Sequence, residues 1–123
     1  MKLPTVLAVG FASVASAYTV LDAENFDTAT MEGYWLVKYY SPTCPWSRRF
    51  APVWEKVYGG LEGSLASRDL YFAEVDCKAN GPLCVKAGID GYPTVVYYNQ
   101  GVNMGEVPGG QAGENLERFA QSI

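Results

Sequence analysis

The sequence predicts an α/β domain with a central, largely parallel sheet that is covered by helices. Two observations lead to this prediction. The chain has 123 residues, of which 49% are apolar and 18% charged, and this size suits one domain with a core of its own. Strand signals and helix signals also alternate along the chain, an order that is typical of a sheet with helices packed against it.

Five segments predict strands. The clearest is residues 34–40 (YWLVKYY), which is too apolar for a strand with one face in water and predicts a strand covered on both sides. Residues 70–76 and 94–99 are two further runs of this kind. Weaker strands are expected at residues 18–21 and 102–107, the last one after a tight turn that makes a C-terminal hairpin.

Four segments between and after the strands predict helices. They cover residues 23–30, 45–61, 83–87 and 114–122. Pro45 suits the first position of the longest helix, because the N–H that proline lacks would have no acceptor there. The predicted order is therefore β-α-β-α-β-α-β-β-α.

The first 17 residues have the pattern of a secretory signal peptide. Lys2 is followed by an apolar run over residues 3–12 and by the small-x-small site Ala15-Ser16-Ala17. We expect cleavage after Ala17, which leaves residues 18–123 as the mature domain; a buried N-terminal helix or strand is the alternative.

The final compartment is less closely defined by the sequence. No later stretch approaches the ~20 apolar residues that span a bilayer, so we expect no membrane anchor in this chain. The C-terminus does not resemble a retrieval signal for the endoplasmic reticulum. We therefore expect the protein in the lumen of the endoplasmic reticulum or outside the cell.

The composition excludes several classes of function. The chain has no histidine, so it has no Ser-His-Asp or Cys-His catalytic relay. Its three cysteines are one short of a Cys₄ zinc site. A net charge of −4 argues against nucleic acid or an anionic membrane as partner. We expect neither a metal nor an organic cofactor.

The cysteines divide into a pair and a single thiol if the compartment is oxidising. Cys77 and Cys84 flank an Asn-Gly-Pro turn signal that can bring them together, which predicts a structural disulfide. Cys44 lies just past the first buried strand, where the longest helix begins. A helix N-terminus stabilises a thiolate, so Cys44 is a candidate nucleophile. A buried structural cysteine is the alternative.

Five segments, in this order and spacing, carry a family resemblance. They are LDAENFD at 21–27, WLVKYYSPTC at 35–44, FAPVW at 50–54, AEVDC at 73–77 and GYPT at 91–94. Together they resemble a thioredoxin-fold domain of the protein disulfide isomerase family along nearly the whole mature chain. The resemblance implies a three-layer sandwich, with a central mixed sheet, helices on both faces and a cis proline facing the active-site cysteine.

The sequence departs from the family at its active site, which is Cys44-Pro45-Trp46-Ser47 where the family has Cys-x-x-Cys. Ser47 cannot resolve a mixed disulfide, although its hydroxyl can donate a hydrogen bond to the Cys44 thiolate. The resemblance therefore implies monothiol isomerisation, or retention of client proteins, with release by another thiol. The alternatives are a non-catalytic chaperone-like module that uses the same groove and a partial copy of a larger membrane-anchored isomerase.

A second departure concerns a buried charge. Where the family places a buried carboxylate before the active-site cysteine, this chain has Lys38, and Glu74 stands where the family often has a lysine. We expect a charge-swapped pair of Lys38 with Glu74, because a lone buried charge is costly. Its cation would favour the Cys44 thiolate. The alternative is that Lys38 extends to the sheet edge.

The resemblance also implies a groove for client proteins. It lies between the start of the active-site helix and the cis-proline loop, and Trp46, Tyr92 and Pro93 are expected to line it. An exposed Trp46 would suit apolar segments of unfolded or cysteine-containing clients. A position in the core is the alternative for this tryptophan.

Overall fold

The fold comes from a computed structural model that describes residues 18–123, so the expected signal peptide lies outside the described residues. The elements are β1 (Thr19–Leu21), α1 (Phe26–Thr30), β2 (Tyr34–Tyr40), α2 (Pro45–Leu65), a 3₁₀ turn (Ala66–Arg68), β3 (Leu70–Asp76), α3 (Gly81–Lys86), β4 (Thr94–Asn99), β5 (Val102–Glu106) and α4 (Gly113–Ser122). This is the predicted order, and β2, β3 and β4 have the predicted bounds.

The five strands form one mixed sheet in the order β1-β3-β2-β4-β5. β3 runs parallel to β1 and β2, whereas β4 runs antiparallel to β2 and β5. The sheet is therefore mixed, as the resemblance implied, and the expectation of a largely parallel sheet is wrong.

The short helix α3 explains the direction of β4. Its 6 residues span about 9 Å, whereas the 7 residues of β3 span about 23 Å. The helix cannot carry the chain back along the sheet, so β4 starts at the end where β3 stopped. Thr94 at the start of β4 consequently lies beside Tyr39 near the end of β2. This turn of the chain brings the loop before β4 to the edge where α2 begins.

Two apolar layers cover the two faces of the sheet. On one face, α2 and α4 pack over Leu36, Phe72 and Val95. On the other, α1 and α3 pack over strand residues that include Val37 and Tyr39. Successive residues of β2 alternate between the layers, as a pleated strand requires. The result is the expected three-layer sandwich.

The start of α1 and the end of α2 differ from the prediction by three and four residues, while the bounds of α3 and α4 differ by at most two. α1 begins at Phe26, since the Asp22 carboxylate accepts the backbone N–H groups of Glu24 and Asn25 and holds them in a turn. α2 continues to Leu65 through a glycine-rich stretch, because Leu65 is buried on the same face as the other apolar residues of the helix. Packing here overrides the low helix propensity of glycine.

Candidate active site

Cys44 lies at the end of the loop that connects β2 to α2. It is the residue immediately before the helix, has an extended backbone, and is followed by Pro45 in the first turn. Its Sγ is 3.9 Å from the carbonyl oxygen of Tyr92, in the loop before β4. The Tyr92–Pro93 peptide bond is cis. The structure thus brings the thiol and the proline loop together, although they are distant in the sequence.

The surroundings of Cys44 favour its thiolate. The backbone N–H of Ser47 contributes most to lowering the pKa of the thiol below its ordinary value, and the backbone N–H of Trp46 adds to the effect. Desolvation of the thiol opposes this and is the second-largest effect, while the Ser47 hydroxyl and the positive charge of Arg48 lower the pKa further. The two backbone donors, from Trp46 and Ser47, are among the free N–H groups at the start of a helix. Cys44 is partly exposed, so a substrate can reach it.

Ser47 connects the first turn of α2 to the loop that precedes it. The residue is 4% exposed, and its Oγ accepts the backbone N–H of Ser41 at 3.1 Å. Because the hydroxyl accepts one hydrogen bond, its own proton remains available for the Cys44 sulfur. Ser47 therefore holds the loop and also faces the thiol.

The three residues expected to line the groove have different environments. Trp46 is 63% exposed, and the guanidinium carbon of Arg49 lies 4.8 Å from the centroid of its ring system. Tyr92 is also exposed, at 38%. Pro93 is fully buried at the start of β4, and its carbonyl accepts the side-chain amide of Gln111. The side chains of Trp46 and Tyr92 are therefore exposed, whereas that of Pro93 is buried.

Lys38 and Glu74 lie directly opposite each other on the parallel strands β2 and β3. Lys38 Nζ is 3.2 Å from Glu74 Oε1, and the two side chains are 4% and 17% exposed. The ammonium group also lies between 5.1 and 5.6 Å from the ring centroids of Tyr18, Tyr40 and Trp54. Lys38 is thus held within the domain and does not extend to the sheet edge.

The effect of this lysine on the thiol differs from the expectation. The positive charge that lowers the pKa of Cys44 is that of Arg48, one turn into α2, and Lys38 is not among the causes. Since Glu74 lies beside Lys38, the two charges largely cancel at a distance. Sequence reasoning missed the role of Arg48. The spacing could have indicated this role, because Arg48 is four positions after Cys44 and residues with this spacing lie on the same face of a helix.

The other two cysteines are bonded to each other. The sulfurs of Cys77 and Cys84 are 2.10 Å apart, both residues are buried, and the bond joins the end of β3 to α3. Cys44 is the free cysteine of the described residues. Within residues 18–123 there is no group of three or more acidic or cysteine side chains that could hold a metal. Nor does that part of the chain contain a helix apolar and long enough to cross a membrane.

Sequence reasoning also missed a buried contact on the other face of the sheet. The hydroxyl oxygens of Tyr39 and Tyr98 lie 2.6 Å apart. Neither tyrosine stood out among the nine in the chain, because each belongs to an aromatic strand where a ring is expected. On the paired strands Tyr98 is opposite Trp35, four residues before Tyr39, so the length of both side chains is needed to bring the hydroxyls together.

Comparison with known proteins agrees with this architecture. A family model described as thioredoxin matches residues 17–122. The protein disulfide-isomerase-like protein EhSep2 of Emiliania huxleyi is 31% identical over 127 aligned positions, which cover 99% of this chain and 56% of the relative. A thioredoxin domain-containing protein 5 homolog of Drosophila melanogaster is 31% identical over 102 residues, or 81% of this chain and 24% of the relative.

Solved structures of related proteins have the same fold. The zinc-bound form of human ERp44 has a TM-score of 0.78 and 25% identity, over 86% of this chain and 31% of that one. The J-Trx1 fragment of ERdj5 has a TM-score of 0.75 and 26% identity, over 85% of this chain and 50% of the fragment. The chain spans 56% or less of the length of the curated relatives described above. It belongs to the thioredoxin family, and its relatives include proteins of the protein disulfide isomerase type.

Proposed function

We propose that this protein carries out thiol-disulfide exchange on client proteins of the secretory pathway through a single thiol, Cys44. The observation that carries the proposal is the setting of that thiol. It is accessible at the start of α2, several donors lower its pKa, and a serine stands where a second cysteine would resolve its adducts.

The proposed reaction begins with attack by the Cys44 thiolate on one sulfur of a client disulfide. A Cys44-client disulfide forms, the client disulfide breaks, and the second client sulfur leaves as a thiolate that takes a proton from water. Ser47 has no sulfur and cannot displace the client. Release therefore requires a thiolate of the client or of a small external thiol. If a different client thiolate attacks, the client is isomerised with no net oxidation or reduction; if none attacks, the client is retained.

The surface next to Cys44 can bind an extended segment of a client protein. The Tyr92 carbonyl points toward the thiol and can accept an N–H of a client backbone. Trp46 offers an exposed apolar ring beside it. A client would then be held by backbone pairing on one side of Cys44 and by apolar contact on the other.

Two further features support the secretory pathway as the location. The expected signal peptide would direct the chain there. The Cys77–Cys84 disulfide suits an oxidising compartment, because cytosolic proteins rarely keep structural disulfides. Activity in the lumen of the endoplasmic reticulum is the form of the proposal that fits the relatives of protein disulfide isomerase type.

The test is to trap adducts between the purified protein and scrambled ribonuclease. After acid quenching and alkylation, non-reducing gels should show mixed disulfides for the wild type and none for Cys44→Ala. Ser47→Cys is the matched control, since a second thiol should resolve the adducts and reduce their amount. The absence of adducts that depend on Cys44 would overturn the proposal.

A non-catalytic binding module is the second candidate, and the exposure of Trp46 favours it. The same proteins distinguish the two. If Cys44→Ala suppresses aggregation of a reduced client as well as the wild type does, and Trp46→Ala does not, then binding alone accounts for the function.

A further inference from the structure

A cavity lies on the face of the sheet that α1 and α3 cover, away from α2 and Cys44. Its volume is about 230 Å³. Tyr39 and Tyr98, which are 0% and 4% exposed, are among its buried lining residues. Phe26, Leu83 and Ala87 provide apolar walls. The cavity is therefore lined in part by two buried tyrosines whose hydroxyls are paired.

The hydroxyl pair leaves one hydrogen-bond donor without a partner. Each phenol has one proton, and the bond of 2.6 Å between the two oxygens uses one of the two protons. Either tyrosine can be the donor. Whichever donates, the other keeps a proton, and no described residue offers it an acceptor. A buried donor without an acceptor is costly, so the free proton calls for an acceptor within the cavity.

The volume fits a molecule larger than water. A water molecule occupies about 30 Å³, and pockets for drug-sized ligands begin at about 300 Å³. The cavity lies between these sizes and has room for a molecule with one ring. The ring of Phe26 lies 5.3 Å, centroid to centroid, from that of Tyr98, edge to face, so one aromatic wall is already in place.

The charges around the cavity favour a neutral ligand. Its mouth carries one exposed cation, Lys86, and one exposed anion, Asp27, so the local charge is balanced. The hydroxyl pair has only one free proton, whereas a buried carboxylate needs several donors. We propose that this cavity binds a small, neutral aromatic molecule with one hydrogen-bond acceptor, such as an aryl ketone or amide. The ring packs against Phe26, and the carbonyl oxygen accepts the free tyrosine proton.

The test uses two probes of the same shape. Acetophenone has a carbonyl oxygen, and α-methylstyrene has a methylene group in its place. Each is titrated into the whole protein at millimolar concentration while amide chemical shifts are followed at Phe26 and Gly101, both at the cavity. Acetophenone should bind roughly 2- to 10-fold more tightly than α-methylstyrene, which is the range that one hydrogen bond supplies.

Phenylalanine variants remove the hydroxyls and keep the aromatic rings that line the cavity. Tyr39→Phe and Tyr98→Phe each leave one hydroxyl, whose proton is then free, so each should keep the preference for acetophenone. The double variant has no donor and should bind both probes equally. Tyr97→Phe is the matched control, since its ring lies on the other face of the sheet and the preference should persist.

The wild type alone can refute the proposal, whether or not the double variant folds. Equal affinity for the two probes would show that the hydroxyl pair does not recognise a ligand. If neither probe shifts the cavity amides, the cavity holds water only. These outcomes are independent of Cys44, so they do not bear on the proposed exchange activity.

Discussion

Reversing the buried charges of Lys38 and Glu74 should cost much less than reversing either one. Lys38→Glu places two carboxylates opposite each other on β2 and β3, and Glu74→Lys does the same with two ammonium groups. Breaking a buried pair in this way lowers the free energy of unfolding by about 3–5 kcal/mol. Combining the two changes restores opposite charges at the same separation and recovers most of that loss.

The recovery should be incomplete, for a reason that the structure supplies. The Lys38 ammonium lies near three rings, those of Tyr18, Tyr40 and Trp54. Such contacts contribute about 0.5–2 kcal/mol, and a lysine at position 74 would not reproduce them. The double reversal should therefore be about 1–2 kcal/mol less stable than the wild type.

Urea unfolding followed by tryptophan fluorescence measures these differences, since the buried ring of Trp54 reports on this region. Lys78→Glu is a matched control: it makes the same charge change at an exposed position and should alter the free energy of unfolding by less than about 0.5 kcal/mol. If the costs of the two single reversals simply add in the double variant, the pair does not interact and the reasoning is wrong.

Three further predictions follow from the site. Because the folded state lowers the pKa of Cys44, alkylation by iodoacetamide should reach its half-maximal rate at a lower pH than in an unfolded cysteine peptide. Ser47→Ala should raise the pH of this midpoint. A wild-type midpoint equal to that of the peptide would contradict the lowered pKa of Cys44. Replacing both Cys77 and Cys84 with serine should reduce the free energy of unfolding in urea by about 2–3 kcal/mol, and equal stability would show that the bond contributes nothing. Trp46→Ala should weaken capture of an apolar client peptide roughly tenfold by fluorescence anisotropy without moving the alkylation midpoint, whereas unchanged affinity would remove Trp46 from the binding surface.

The sequence was most informative where a continuous pattern decides the structure. The bounds of the three apolar strands could be predicted to the residue, because each strand is a nearly continuous run of apolar and aromatic residues. The Lys38–Glu74 contact also followed from pattern, since each strand has one interior charge and the strands are neighbours. The position of Cys44 before α2 followed from the end of β2.

The remaining features depend on distances that a pattern does not contain. The direction of β4 follows from the length of α3, and α2 extends to Leu65 because of packing against the sheet. The burial of Pro93 depends on how the loop before β4 packs, and the contact between Tyr39 and Tyr98 joins residues 59 positions apart in the sequence. Local signals cannot report such contacts.

The hydrogen bond from Ser41 N–H to Ser47 Oγ ties the side chain at position 47 to the loop before α2. Sulfur is a weak acceptor, so a cysteine at position 47 would gain a resolving thiol and loosen the loop before α2. Position 38 also holds a lysine, paired with Glu74, and not a carboxylate that could take a proton from a second thiol. A single Ser47→Cys change would therefore supply a resolving thiol and remove a hydrogen bond from the loop before α2. Ser47 therefore ties the hydrogen bonding of the loop to the chemistry of the thiol, and a substitution at this position alters both.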